Sequence, residues 1–125
     1  MAKIERFEEI QAWREARELT KEIYILCKQE PLSSDFGLRD QIRRSAVSIG
    51  SNIAEGFGRG SRPEFVRFLR IAQGSAYEFR SQLYTLLDAN YLDAGTFQRL
   101  HDQAVSTANL IGGFLRYLEK SKTPK

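Results

Sequence analysis

Asp35-Phe36-Gly37-Leu38-Arg39-Asp40-Gln41-Ile42-Arg43-Arg44-Ser45-Ala46-Val47-Ser48-Ile49-Gly50-Ser51-Asn52-Ile53-Ala54-Glu55-Gly56-Phe57 places apolar side chains at Leu38, Ile42, Ala46, Ile49 and Ile53. Steps of three and four put these five on one side of a helix with about 3.6 residues per turn. Beside them runs a polar stripe, Gln41, Ser45, Ser48, Asn52 and Glu55, at the same spacing. Its small members let a second helix come close, and Asn52 and Glu55 would then be partly buried and need hydrogen-bond partners. Gly50 is a weak point inside this helix, worth about 1 kcal/mol against alanine. Gly56-Phe57-Gly58-Arg59-Gly60 ends it. This glycine run superficially resembles a phosphate-binding loop, but it follows a helix and lacks the GK[ST] ending, so helix termination is the better reading.

Working outward, Ser61-Arg62-Pro63-Glu64 reads as a capping box with proline in the first turn. A third stripe follows in Phe65, Phe68, Leu69, Ala72, Ala76, Phe79, Leu83, Leu86 and Leu87. Asn90 suits a left-handed helix end, and Asp93 caps a fourth helix whose stripe is Phe97, Leu100, Ala104, Ala108, Ile111, Leu115 and Leu118. Gly112-Gly113 is a place for that helix to bend, and the tail from Ser121 to Lys125 is expected to fray. Upstream, Ala12, Trp13, Ala16, Leu19, Ile23, Leu26 and Cys27 mark a first helix that Pro31 stops. The spacing predicts helices over 7–29, 35–57, 62–89 and 94–119 of one domain, 1–125. Their short connections predict an all-α, antiparallel up-down four-helix bundle.

Composition fits a globular chain: 42% of the 125 residues are hydrophobic and 28% charged. No apolar run approaches the roughly 20 residues of a membrane span. Met1-Ala2-Lys3-Ile4-Glu5-Arg6 lacks the apolar stretch of a secretion signal, and the single Cys27 cannot close an internal disulfide. A reducing cytoplasm is the expected location. HExxH, CxxC and a nucleophile elbow are all missing, and His101 is the only histidine. Neither enzyme chemistry nor a cofactor is expected, and Cys27 reads as a small core residue.

Net charge is +3, and its distribution is uneven. Between Asp35 and Arg80 stand eight arginines, no lysine and five acids; the remainder balances at eleven bases and eleven acids. Arginine offers a planar fork of donors suited to phosphate and carboxylate. Arg59 and Arg62 in the turn join Arg67 and Arg70 on the face of the third helix opposite its core stripe, while Arg39 and Arg43 are neighbours on the second helix, with Arg44 further round. Arg39, Arg43, Arg59, Arg62, Arg67 and Arg70 are the candidate nucleic-acid contacts; pairing with acids is the competing reading. Asn52, Glu55, Glu78 and Arg44 are expected in structural polar roles. Glu78 lies near the edge of the core stripe, and Arg43 or Arg44 is its expected partner. Val66, Tyr77 and Tyr84 form a line about a quarter-turn from the core stripe; they read either as an oligomer interface or as a cap on the intramolecular core.

Phe36 through Gly56 closely resembles the signature of the bacterial 23S rRNA intervening-sequence proteins, also called four-helix bundle proteins. The similarity continues through Glu64-Phe65-Val66-Arg67-Phe68-Leu69-Arg70-Ile71-Ala72-Gln73-Gly74-Ser75-Ala76-Tyr77-Glu78 and includes the opening Phe7-Glu8-Glu9-Ile10-Gln11-Ala12-Trp13. The resemblance implies an up-down bundle that assembles as a homopentameric ring. It also implies kinship with the accessory variability determinant of diversity-generating retroelements, which binds nucleic acid and a reverse transcriptase. The expected partners are therefore a second copy of the chain, RNA or DNA, and a reverse transcriptase or other protein. Gly50 departs from a frequent proline of the family and Asn90 from a usual glycine; both departures keep a helix interruption and a turn. The function expected is a non-enzymatic homo-oligomeric bundle that binds RNA or DNA through arginines. The alternative is a protein–protein scaffold.

Overall fold

In a computed structural model, which describes residues 3–120, the chain folds as α1 (Gln11–Leu26), α2 (Phe36–Gly58), α3 (Arg62–Asp88) and α4 (Ala94–Lys120), with no strand among the described residues. Each helix packs on its sequence neighbours, and α1 closes the square against α4. Neighbours run antiparallel. Thr20 of α1 donates to the Ala46 carbonyl of α2, Ser45 of α2 meets Gln82 of α3, and Arg99 of α4 pairs with Glu22 of α1. The all-α bundle expected from the sequence is what the chain forms.

The four apolar stripes meet on the bundle axis. Leu19, Ile23, Ile42, Ile49, Ile53, Leu69, Phe79, Leu83, Leu86, Leu100 and Ile111 have essentially no solvent exposure. Each such side chain contributes about 1.5–3 kcal/mol of transfer free energy, and together they outweigh the weak intrinsic preference of Ile and Phe for helix.

The helix ends follow the sequence signals. Asp35 caps α2 by accepting from the Leu38 amide, Ser61 caps α3 by accepting from Glu64, and Asp93 accepts from the Thr96 amide at the head of α4. Asn90 takes the left-handed conformation at φ 63°. The Tyr91 amide then reaches the Leu86 carbonyl and the Asn90 amide the Leu87 carbonyl, which satisfies the last carbonyls of α3. Asp35 also accepts from the Tyr91 hydroxyl at 2.8 Å and so ties the two connections at that end of the bundle together.

Two local expectations are corrected. The first helix does not run from residue 7: Phe7–Glu9 form a separate 3-10 turn, and Ile10, extended at ψ 120°, breaks the chain before α1. The break lets the Phe7 ring fold back edge-on to Trp13, centroids 5.0 Å apart. Gly50 does not interrupt α2, and the Trp13 indole lies over its missing side chain. Gly112-Gly113 sits inside a continuous α4. The tail expected to fray lies outside the described residues.

Candidate nucleic-acid interface

The α2–α3 turn brings four arginines to one end of the bundle. Arg59, just past the end of α2, and Arg67, one turn into α3, lie over the same Phe68 ring, with guanidinium carbons 4.9 and 4.5 Å from its centroid. Each is also held by a carboxylate, Arg59 by Glu55 at 2.8 Å and Arg67 by Glu64 at 3.1 Å. Arg70 pairs with Glu119 near the end of α4. Arg62 carries no acid among the described residues; it stands at the rim of a groove walled by Phe57, Phe65, Phe114 and Tyr117. From Gly56 to Tyr77 these four arginines face a single acid, Glu64. The bond from Arg67 holds the Glu64 carboxyl below its ordinary value, so the pair stays ionised on both sides.

Arg39 and Arg43 lie elsewhere, about 30 Å along α2 at ~1.5 Å per residue. They share Asp40 at 3.3 and 3.2 Å. Arg39 also donates to the Ser33 carbonyl, lies over Phe36 and keeps only 25% of its side chain exposed. Arg43 lies over Tyr24. The six arginines therefore form two groups, and Arg39 is largely occupied in closing the α1–α2 connection.

The polar stripe of α2 meets α3 as a hydrogen-bonded seam. The Asn52 amide donates to the Ser48 carbonyl and hydroxyl, Ser48 bonds Ser75 at 2.8 Å, and Ser45 bonds Gln82 at 2.6 Å. Ser75 and Gln82, the α3 half of this seam, escaped the sequence reading. The seven-residue interval between them, beside the apolar stripe, is the signal that marks them.

Glu55, Glu78 and Arg44 differ from expectation. Glu55 is exposed and engages Arg59 four residues on. Glu78 is exposed and, among the described residues, hydrogen-bonds only the Gln82 amide, at 3.5 Å, so the expected pair with Arg43 or Arg44 does not form. Arg44 is exposed and makes no ion pair among the described residues. For Glu78 and Arg44 the reason is angular: they lie further round their helices than the seam, where water solvates a charge more cheaply than a buried partner can.

Of the three expected interface residues, Val66 is half-buried against the core of its own chain. Tyr77 and Tyr84 remain 55% and 50% exposed. Arg80 lies over the Tyr77 ring, and Tyr84 packs edge-on to Phe97 and His101. Beneath them Arg80 Nε and His101 Nε2 are buried without hydrogen-bond partners. Cys27 is buried, and desolvation raises its thiol above the ordinary value. No cluster of three metal-ligating side chains occurs among the described residues, and no described helix is long and apolar enough to cross a membrane.

Comparison with known proteins adds two findings. Residues 8–113 match the model of the 23S rRNA-intervening sequence protein family. A crystal structure of a protein with unknown function from the S23 ribosomal protein family, from Bacteroides thetaiotaomicron, superposes with TM-score 0.78 at 24% identity. The match covers 84% of this chain and 95% of that one, and supports the fold. No curated protein matches significantly.

Proposed function

This chain belongs to the 23S rRNA-intervening sequence protein family, and from that premise we propose that it is a non-catalytic, homo-oligomeric bundle that binds the phosphate backbone of RNA or DNA. The binding surface is the α2–α3 turn end, with Arg62 as its open contact and Arg59, Arg67 and Arg70 as exchangeable ones. The observation that carries this reading is the pair of guanidinium groups over Phe68 beside an Arg62 that meets no acid among the described residues.

The intramolecular ion pairs do not block it. They are solvent-exposed, and such pairs are worth about 0–1 kcal/mol. A phosphate can take the place of Glu55, Glu64 or Glu119, because its oxygens match the guanidinium fork as well as a carboxylate does. Packing over Phe68 holds Arg59 and Arg67 in place, so less side-chain freedom is lost on binding. Contacts of this kind position a nucleic acid without reading its sequence.

The exposed Tyr77 and Tyr84 support a subunit contact through α3, in a pentamer as the proposed assembly. A ring repeats the arginine patch, so several weak sites act together through high effective concentration. The reducing cytoplasm is the proposed location, in keeping with a buried free thiol. A scaffold without nucleic-acid contact is the second reading, favoured by the acids that engage Arg59, Arg67 and Arg70.

The test is to replace Arg59, Arg62, Arg67 and Arg70 together by Glu, then to measure oligomer mass and affinity for RNA and DNA. Lost affinity with unchanged mass supports the proposal. Lost assembly assigns these arginines to subunit contacts. Absence of wild-type affinity at about 50 mM salt, where electrostatic binding is strong, leaves the scaffold.

A further inference from the structure

We propose that the groove beside Arg62 receives one unpaired nucleobase, so that this end of the bundle engages single-stranded nucleic acid; the inference rests on the nucleic-acid reading above. The groove lies between the N-terminal segment at Lys3-Ile4, the α2–α3 turn and the last turns of α4. Its volume is about 520 Å³, inside the roughly 300–1,000 Å³ range of clefts that take small planar ligands.

Its wall is a run of rings in mutual contact. Phe57 meets Phe65 at 5.9 Å, Phe65 meets Phe114 at 5.3 Å, and Phe114 meets Tyr117 at 6.2 Å. The run passes through edge-on contacts between half-buried phenylalanines to Tyr117, which is tilted on Phe114 and 45% exposed. A base laid on Tyr117 extends the series by one ring and covers apolar surface that water now wets.

Charge selects the occupant. Arg62 and Lys3 line this groove, and none of its lining residues is acidic. Arg59 stands one turn away over Phe68. The adjoining groove beyond Ile4 and Phe114 holds Glu9 and no cation. The larger groove at the opposite end of the bundle is lined by Glu18, Glu22, Glu30 and Asp93 against Lys21 and Arg99. A further groove sets Tyr24 beside Arg43 and Arg44, but Asp40 lines it too. Among these four grooves, cations and aromatic rings without an acid come together only beside Arg62, next to the arginines already assigned to phosphate.

A pure phosphate surface favours duplex, which carries the denser charge; a stacking site gives single strands an added contact that a paired base cannot make. The experiment uses the full-length assembled protein and two probes, a 12-nucleotide single-stranded RNA and the duplex of the same sequence, at one salt concentration. Tyr117→Ala should weaken single-strand binding on the order of tenfold or more, leave duplex binding unchanged and leave oligomer mass unchanged. Tyr117→Phe, which keeps the ring, should bind as wild type does. Unchanged single-strand affinity in Tyr117→Ala, or an equal loss on both probes, overturns the base site and leaves the arginine reading standing. A change in oligomer mass assigns the groove to a subunit contact and overturns it too. Wild type that binds neither probe overturns both readings.

Discussion

Gly56 sits where α2 closely approaches the first turns of α3, and replacing it by alanine tests the packing directly. A Cβ at that position would stand 2.6 Å from Phe68 Cβ, 3.2 Å from Phe65 Cδ1 and 3.4 Å from the Phe65 carbonyl. The first contact joins two atoms fixed to backbone, so no rotamer relieves it and one helix must shift. Overpacking costs about 1–3 kcal/mol, and a clash that no rotamer relieves belongs at the upper end of that range, about 2–3 kcal/mol. Alanine recovers about 1 kcal/mol of helix propensity, which leaves a net loss of about 1–2 kcal/mol. Gly50→Ala is the control on the same helix. Its Cβ would meet Trp13 at 3.6 Å, an ordinary contact, so the propensity gain of about 1 kcal/mol survives. Thermal unfolding at matched protein concentration should lower the midpoint by roughly 3–12 °C for Gly56→Ala and raise it by roughly 3–6 °C for Gly50→Ala. A Gly56→Ala variant as stable as wild type would refute the close α2–α3 approach, and with it the placement of Phe68 under Arg59 and Arg67.

Asp35→Ala should cost about 1–2 kcal/mol, read by chemical denaturation, because it removes both the cap of α2 and the acceptor of Tyr91. Glu78→Ala should change stability by less than about 0.5 kcal/mol by the same assay, as an exposed group does. Glu30 and Glu64 titrate below the ordinary 4.5, held down first by the hydroxyl of Ser33 and by Arg67 respectively, and Asp93 below 3.8, held down by the Thr96 amide. Depressed folded-state values stabilise above the unfolded-state pKa, so the urea midpoint should hold steady above about pH 5 and fall as acid passes through those lowered values. Tyr77→Ala with Tyr84→Ala should reduce oligomer mass in light scattering while leaving helix content intact, since both rings are half exposed and neither fills the core.

The apolar stripes made the bundle legible, because a 3.6-residue period survives whatever packs against it. The caps at Asp35, Ser61 and Asp93 and the left-handed Asn90 were legible for the same reason: each is a local event between residues a few positions apart. What escaped was set between elements. Glu78 and Ser75 are three residues apart on α3, yet one reaches Ser48 and the other stays in water; a rotation of a few tens of degrees about the helix axis decides which, and sequence spacing does not resolve it. The break at Ile10 has no glycine or proline to announce it and goes with the packing of Phe7 on Trp13. The groove under Tyr117 joins Lys3, Phe57, Arg62 and Phe114 from separate parts of the chain, so no single stretch displays it.

The salt dependence of wild-type affinity for a duplex oligonucleotide tests the central claim most directly. Four arginines meeting phosphates at the α2–α3 turn predict a linear fall of log K against log salt with a slope near −3.6, at about −0.9 per phosphate contact. The Arg59, Arg62, Arg67 and Arg70 to Glu variant should then show no measurable binding while keeping its oligomer mass. A slope near zero, or a variant that binds as wild type does, contradicts the assignment of these arginines to nucleic acid.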